Sequence, residues 1–121
     1  MEIVVGYKKL IVWQKADELA YKIYQVTALF PKSELFALTS QLRRAAISVQ
    51  TNIVEGYARN GKAEFKRFLV ISLGSLAEVK YLLNFASGQK YLEEKSFSEI
   101  MNLAESCGRL LWKLTESLST K

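Results

Sequence analysis

Apolar residues recur along most of this chain at alternating steps of three and four. In the first stretch they are Trp13, Ala16, Ala20, Ile23, Thr27 and Phe30, widened by Leu19 and Val26. The second carries Leu35, Leu38, Leu42, Ala45, Val49 and Ile53, and the third Phe65, Phe68 or Leu69, Ser72, Leu76, Val79 and Leu83. The fourth is the most regular, with Phe97, Ile100, Ala104, Cys107, Leu111, Leu114 and Leu118. Such spacing puts the apolar side chains on one face of a 3.6-residue helix. Turn-forming residues fall at Pro31-Lys32-Ser33, Arg59-Asn60-Gly61 and Ser87-Gly88-Gln89. The pattern predicts helices over about 11–30, 34–58, 62–87 and 96–118, within a single domain spanning 1–121. Breaks this short force neighbouring helices to run antiparallel. The expected fold is all-α, an up-down-up-down antiparallel four-helix bundle.

Local signals agree with those limits. Ser33 is placed to cap the second helix after Pro31 has ended the first. Ser96-x-x-Glu99 reads as a capping box, in which hydroxyl and carboxylate satisfy free amides of the first turn. Gly88 is suited to the left-handed conformation that closes the third helix.

The third helix is more apolar than one buried face requires. From Phe68 to Val79 its only charge is Glu78, and opposite the core stripe lie Val70, Gly74, Ala77 and Tyr81. A helix apolar on nearly all sides calls for cover on nearly all sides, so this second stripe is read as a self-association surface. The second helix carries a polar ladder of Gln41, Arg44, Ser48, Asn52 and Glu55. With the two helices folded about a turn near residue 60, Asn52 falls near Phe68 and Arg44 near Ser75 to Glu78. The ladder and Glu78 are therefore expected to form a polar network that sets helix register, with an Arg44–Glu78 ion pair.

Composition narrows the chemistry. The 121 residues include no histidine, one cysteine and one proline. Without histidine there is no Ser/His/Asp or Cys/His nucleophile and no imidazole-based metal site. One cysteine rules out an intramolecular disulfide, and Cys107 lies on a core stripe as a small hydrophobe. The expectation is a protein that is not an enzyme and holds no metal or cofactor. The segment Met1-Glu-Ile-Val-Val-Gly-Tyr-Lys-Lys lacks the pattern of a signal peptide. No uninterrupted apolar run approaches the ~18 residues of a membrane span, so a cytoplasmic protein without a membrane partner is expected.

Within this pattern, one long stretch is distinctive: Leu38-Thr-Ser-Gln-Leu-Arg-Arg-Ala-Ala-Ile-Ser-Val-Gln-Thr-Asn-Ile-Val-Glu-Gly-Tyr57. It resembles the signature of bacterial four-helix-bundle proteins encoded within intervening sequences of 23S rRNA genes. Leu10-Ile-Val-Trp13-Gln-Lys-Ala16 is similar to that family's opening and Phe30-Pro31 to its first turn. Phe65-Lys-Arg-Phe68-Leu69 and Gly74-Ser75-Leu76-x-Glu78 are similar to its third helix. Two positions depart from the pattern: Gln50, where proline is frequent, and Gly61, where a capping serine is usual. The resemblance implies an up-and-down bundle that assembles as a homopentamer. It also suggests a connection to RNA, since related accessory proteins of diversity-generating retroelements are basic pentamers that bind nucleic acid and a reverse transcriptase. It implies no enzymatic activity.

The net charge of +5 is unevenly placed: residues 1–30 carry +1, 31–61 +2, 62–90 +3 and 91–121 −1. The excess gathers at the turn between the second and third helices. Arg59, Lys62 and Lys66 are spaced to share a face with Arg67 beside them, Arg43 extends the patch along the second helix, and Tyr57 offers a stacking ring. These residues are the candidate site for RNA or DNA, through phosphate neutralisation and not base readout. The alternative is a scaffold or adaptor that recruits a protein partner, for which exposed Tyr7, Tyr21 and Tyr91 are candidates.

Overall fold

The structure, a computed structural model, describes residues 6–119; the signal-peptide reading rests partly on Met1 to Val5, outside the described residues. Four α-helices make up the fold: α1 (Ile11–Thr27), α2 (Ser40–Ala58), α3 (Lys62–Gly88) and α4 (Glu94–Ser117). A 3₁₀ turn at Tyr7–Lys9 leads into α1, and a 3₁₀ turn at Lys32–Glu34 followed by a π turn at Leu35–Thr39 leads into α2. The fold is an all-α four-helix bundle.

Paired residues show how the helices run. Gln50 donates to Asp17 at 2.7 Å and Arg43 to Thr27 at 2.8 Å, so α2 descends as α1 climbs. Between α2 and α3 the hydroxyls of Ser48 and Ser75 meet at 2.7 Å, while Gly56 lies against Phe68. Between α3 and α4, Lys80 pairs with Glu105 at 3.7 Å and Leu76 lies against Gly108. Each successive pair is therefore antiparallel, and α4 also packs on α1.

The core follows the apolar stripes. Leu19, Ile23, Leu42, Val49, Ile53, Leu69, Leu76, Val79, Leu83, Cys107 and Leu111 are fully buried, each of the larger side chains stabilising the fold by roughly 1.5–3 kcal/mol relative to exposure. Ser72, on the α3 stripe, is also fully buried; its hydroxyl donates to the Val49 carbonyl at 2.6 Å. That bond fixes the α2–α3 register at a point where an unpartnered hydroxyl would destabilise it. By length and composition α3 is apolar enough to cross a bilayer, but its Leu69, Ser72, Leu76, Val79 and Leu83 edge is the centre of the bundle.

Several local expectations are corrected. α1 ends at Thr27, not Phe30, because the chain tightens into three-residue turns, Leu29 bonding Val26 and Phe30 bonding Thr27. Ser33 does not cap the second helix; it lies in the 3₁₀ turn, and Glu34 takes the capping role by accepting from the Leu38 amide at 3.3 Å. The following π turn leaves Leu35 exposed although it lies on the sequence stripe. α4 starts at Glu94, since Phe97 already bonds the Glu93 carbonyl, so Ser96 is inside the first turn and the capping box does not form. Gly88 remains helical. The left-handed residue is Lys90, with φ 65°, where Tyr91 bonds Ala86 and Lys90 bonds Ser87 in a Schellman arrangement.

Candidate nucleic-acid interface

The basic end is built by the tight turn Arg59-Asn60-Gly61. Gly61 has φ 108°, a backbone conformation open to glycine, and it reverses the chain directly into α3. Arg59 is thereby folded over the first turns of α3, with its guanidinium 5.0 Å from the Phe68 ring centre. Arg67 approaches the same ring to 4.9 Å. Phe68 is buried, so the ring is a fixed platform that holds two cations which would otherwise repel each other. Arg59 also binds Glu55 at 2.9 Å, and Arg67 reaches Glu64 at 3.8 Å. Both pairs are solvent-exposed and weak.

Lys62 and Lys66 complete the cluster, and neither joins an ion pair among the described residues. Lys62 is in the first turn of α3, where the positive end of the helix dipole adds to its field. The structure thus brings Arg59 and Arg67 to one ring, with Lys62 and Lys66 on the first two turns of the same helix α3.

Arg43 is not among them. Its Nε donates to Thr27 Oγ1 at 2.8 Å, its second nitrogen reaches the Tyr24 carbonyl at 3.4 Å, and its guanidinium lies 4.5 Å over the Tyr24 ring. It closes the carboxyl end of α1, where a cation suits the dipole. At ~1.5 Å rise per residue, position 43 is roughly 24 Å along α2 from Arg59. Tyr57 is also otherwise engaged. It is half-buried, edge-on to Phe65 at 6.0 Å, and its ring lies against Gly6.

The polar ladder forms only at its centre. Ser48 bonds Ser75, and the Asn52 amide donates to the Ser48 carbonyl at 2.8 Å and to its hydroxyl at 3.1 Å. Glu55 turns to Arg59, and Gln41, Arg44 and Glu78 are exposed. The expected Arg44–Glu78 ion pair is absent among the described residues: the helices pack with both side chains on the solvent side of their contact. The stripe of Val70, Gly74, Ala77 and Tyr81 is exposed along its whole length, and Ile71 and Phe85 extend it. Cys107 is buried, which pushes its thiol up to about 12 despite the lowering effect of Lys80, so it is no nucleophile near neutral pH.

A family model described as 23S rRNA-intervening sequence protein matches residues 8–113. The chain belongs to the 23S rRNA-intervening sequence protein family. It is also similar in fold to a crystal structure from Bacteroides thetaiotaomicron VPI-5482, a protein of unknown function from the S23 ribosomal protein family. The TM-score is 0.81 at 23% identity, over 88% of this chain and 96% of that one. No curated protein matches the chain.

In this chain the family stretch from Leu38 to Tyr57 has a physical reading. Leu42, Ala45, Ala46, Val49 and Ile53 are core, Arg43 caps α1, Gln50 holds Asp17, and Gly56 lets α3 approach. Sequence reasoning missed Phe68 as the ring beneath two arginines. The signal was present: an aromatic next to Arg67 on α3, packed against Gly56, which lies one helix turn before Arg59.

Proposed function

We propose that this protein is a non-catalytic, cytoplasmic homo-oligomer, a homopentamer, that binds RNA or other nucleic acid through Arg59, Lys62, Lys66 and Arg67. The observation carrying this reading is the pair of arginines held on Phe68 beside two lysines that join no ion pair among the described residues. Four cations against Glu55 and Glu64 leave a modest positive surplus at one end of the bundle. Phosphate contacts of this kind release counterions and carry no base readout. Repetition around an oligomer multiplies weak contacts by raising effective concentration. Family membership and the exposed α3 stripe support assembly.

The test is binding to a structured RNA across a salt series, beside a Lys62→Glu/Lys66→Glu/Arg67→Glu variant. The wild type should bind at low salt with a steep salt dependence, and the variant should lose most of it. No binding at low salt, or equal binding by both proteins, overturns the nucleic-acid reading in favour of a protein-recruiting adaptor. Light scattering tests assembly independently. Gly74→Glu is suited to it, because a side chain at Gly74 meets nothing within 4 Å in the isolated chain.

A further inference from the structure

Among the exposed apolar residues described, the α3 stripe forms one surface. Another is a groove between α1 and the start of α2, about 510 Å³, with apolar walls from Tyr24, Leu35, Phe36 and Ile47 and with Arg43 and Arg44 at its polar side. It runs on through Tyr24 and Ile47 into a second hollow of about 310 Å³ beside Tyr21. Phe36 is 93% exposed and Tyr21 68% exposed. The π turn at Leu35–Thr39 leaves Leu35 exposed beside Phe36. Exposed aromatic and aliphatic side chains gathered on one face are of the kind that a partner covers.

The groove is lined by α1, the π turn and α2, whereas the stripe is on α3, so they are separate faces of one chain. They do complement each other between chains. The stripe is a shallow trough, small at Gly74 and Ala77, between Val70 and Tyr81. The groove carries a projecting ring, Phe36. The stripe holds one acid, Glu78, and the groove holds Arg44; both are exposed and neither has an ion-pair partner among the described residues. A stripe packed on its own copy about a two-fold axis would bring two Glu78 carboxylates into one contact and leave the groove bare.

We propose that the α1–α2 groove of one copy receives the α3 stripe of the next, with Phe36 over Gly74 and Ala77 and Arg44 paired with Glu78 across the contact. This rests on the homo-oligomer reading above and deepens it by naming the second face. The contact is heterologous, head to tail, so it propagates until a ring closes.

The experiment uses full-length protein and two blocking variants. Ile47→Glu blocks the groove and Gly74→Glu blocks the stripe, and each alone should be monomeric by light scattering at tens of micromolar. Mixed in equal amounts they should form a heterodimer of twice the chain mass and nothing larger. One intact groove and one intact stripe remain between them. Phe36→Ser, at a side chain almost wholly in solvent, should dissociate the assembly as Ile47→Glu does, and guards against a folding defect in the latter. Ile47→Glu and Phe36→Ser proteins of wild-type mass, with Gly74→Glu monomeric, overturn the groove while the oligomer stands. In that case lost RNA affinity in Phe36→Ser would make the groove a nucleic-acid surface instead. Two blocked variants that stay monomeric when mixed overturn the pairing as well. A wild-type protein that is itself monomeric overturns both readings.

Discussion

The hydroxyl of Tyr91 donates to Oε2 of Glu34 at 3.2 Å, joining the turn before α4 to the turn before α2. Glu34 spends its other oxygen on the Leu38 amide, and the Tyr91 ring tilts against Phe30 at 5.6 Å. One end of the bundle is thus held by a carboxylate shared between a helix start and a distant phenol.

That arrangement makes stability sensitive to alkali. Partial burial, then the Glu34 hydrogen bond and the Glu34 charge, raise the Tyr91 pKa above 10.0. A phenol with a raised folded pKa contributes fully below its unfolded value and loses that contribution as pH rises through the folded one. Melting temperature should therefore fall above about pH 10 more steeply in wild type than in Tyr91→Phe. Equal slopes would show that the phenol does not couple the two turns.

Lys90 is the one non-glycine residue with positive φ among the described residues. The left-handed conformation costs an L-residue roughly 1–2 kcal/mol. Glycine removes that cost but loses more entropy on folding, about 0.5–1 kcal/mol. Lys90→Gly should accordingly stabilise the protein by about 0.5–1 kcal/mol, seen as a rise of a few degrees in thermal denaturation. An unchanged or lowered melting point would mean that the Lys90 side chain contributes something beyond the turn.

The helix count, the breaks and most of the core were legible because the 3–4 spacing is a direct consequence of helix geometry, and every fully buried leucine on α3 lies on the predicted stripe. What was not legible depends on backbone detail finer than that spacing. Gly88 and Lys90 differ by two residues, and a continuing helix decides between them. Ser33 and Glu34 are adjacent, and a 3₁₀ turn decides which one reaches an orphan amide. The basic cluster was readable from local spacing at Arg59 to Arg67. Arg43 was misplaced because its partners, Thr27 and Tyr24, belong to another helix, and sequence distance does not report which helix end a long side chain meets.

Arg43 offers a separation of roles. It caps α1, so Arg43→Ala should destabilise by about 1–2 kcal/mol through lost charge-assisted bonds and dipole complementarity. Once folded, the variant should bind RNA with wild-type affinity and an unchanged salt slope. Lys62→Glu or Lys66→Glu should do the reverse, leaving denaturation nearly unchanged and lowering the slope of affinity against salt. A drop in salt slope for Arg43→Ala would return that residue to the binding surface.

At Gly56, α2 and α3 approach each other closely. A Cβ there would lie 2.7 Å from Phe68 Cβ, 3.1 Å from Phe65 Cδ1 and 3.3 Å from the Phe65 carbonyl. The first of these atoms is fixed to the α3 backbone, so no rotamer change relieves it and the helices must part. Overpacking of this kind costs about 1–3 kcal/mol, against a gain of up to about 1 kcal/mol from replacing a mid-helix glycine. The clash wins, and Gly56→Ala should melt several degrees below wild type. Gly88→Ala is the matched control, because a Cβ there meets nothing within 4 Å; it should be neutral or slightly stabilising. The effect should also reach the basic end, since Phe68 carries Arg59 and Arg67. Gly56→Ala protein still folded at low temperature should therefore bind RNA more weakly than Gly88→Ala. If the two alanine variants melt together, close approach at Gly56 does not set the α2–α3 distance.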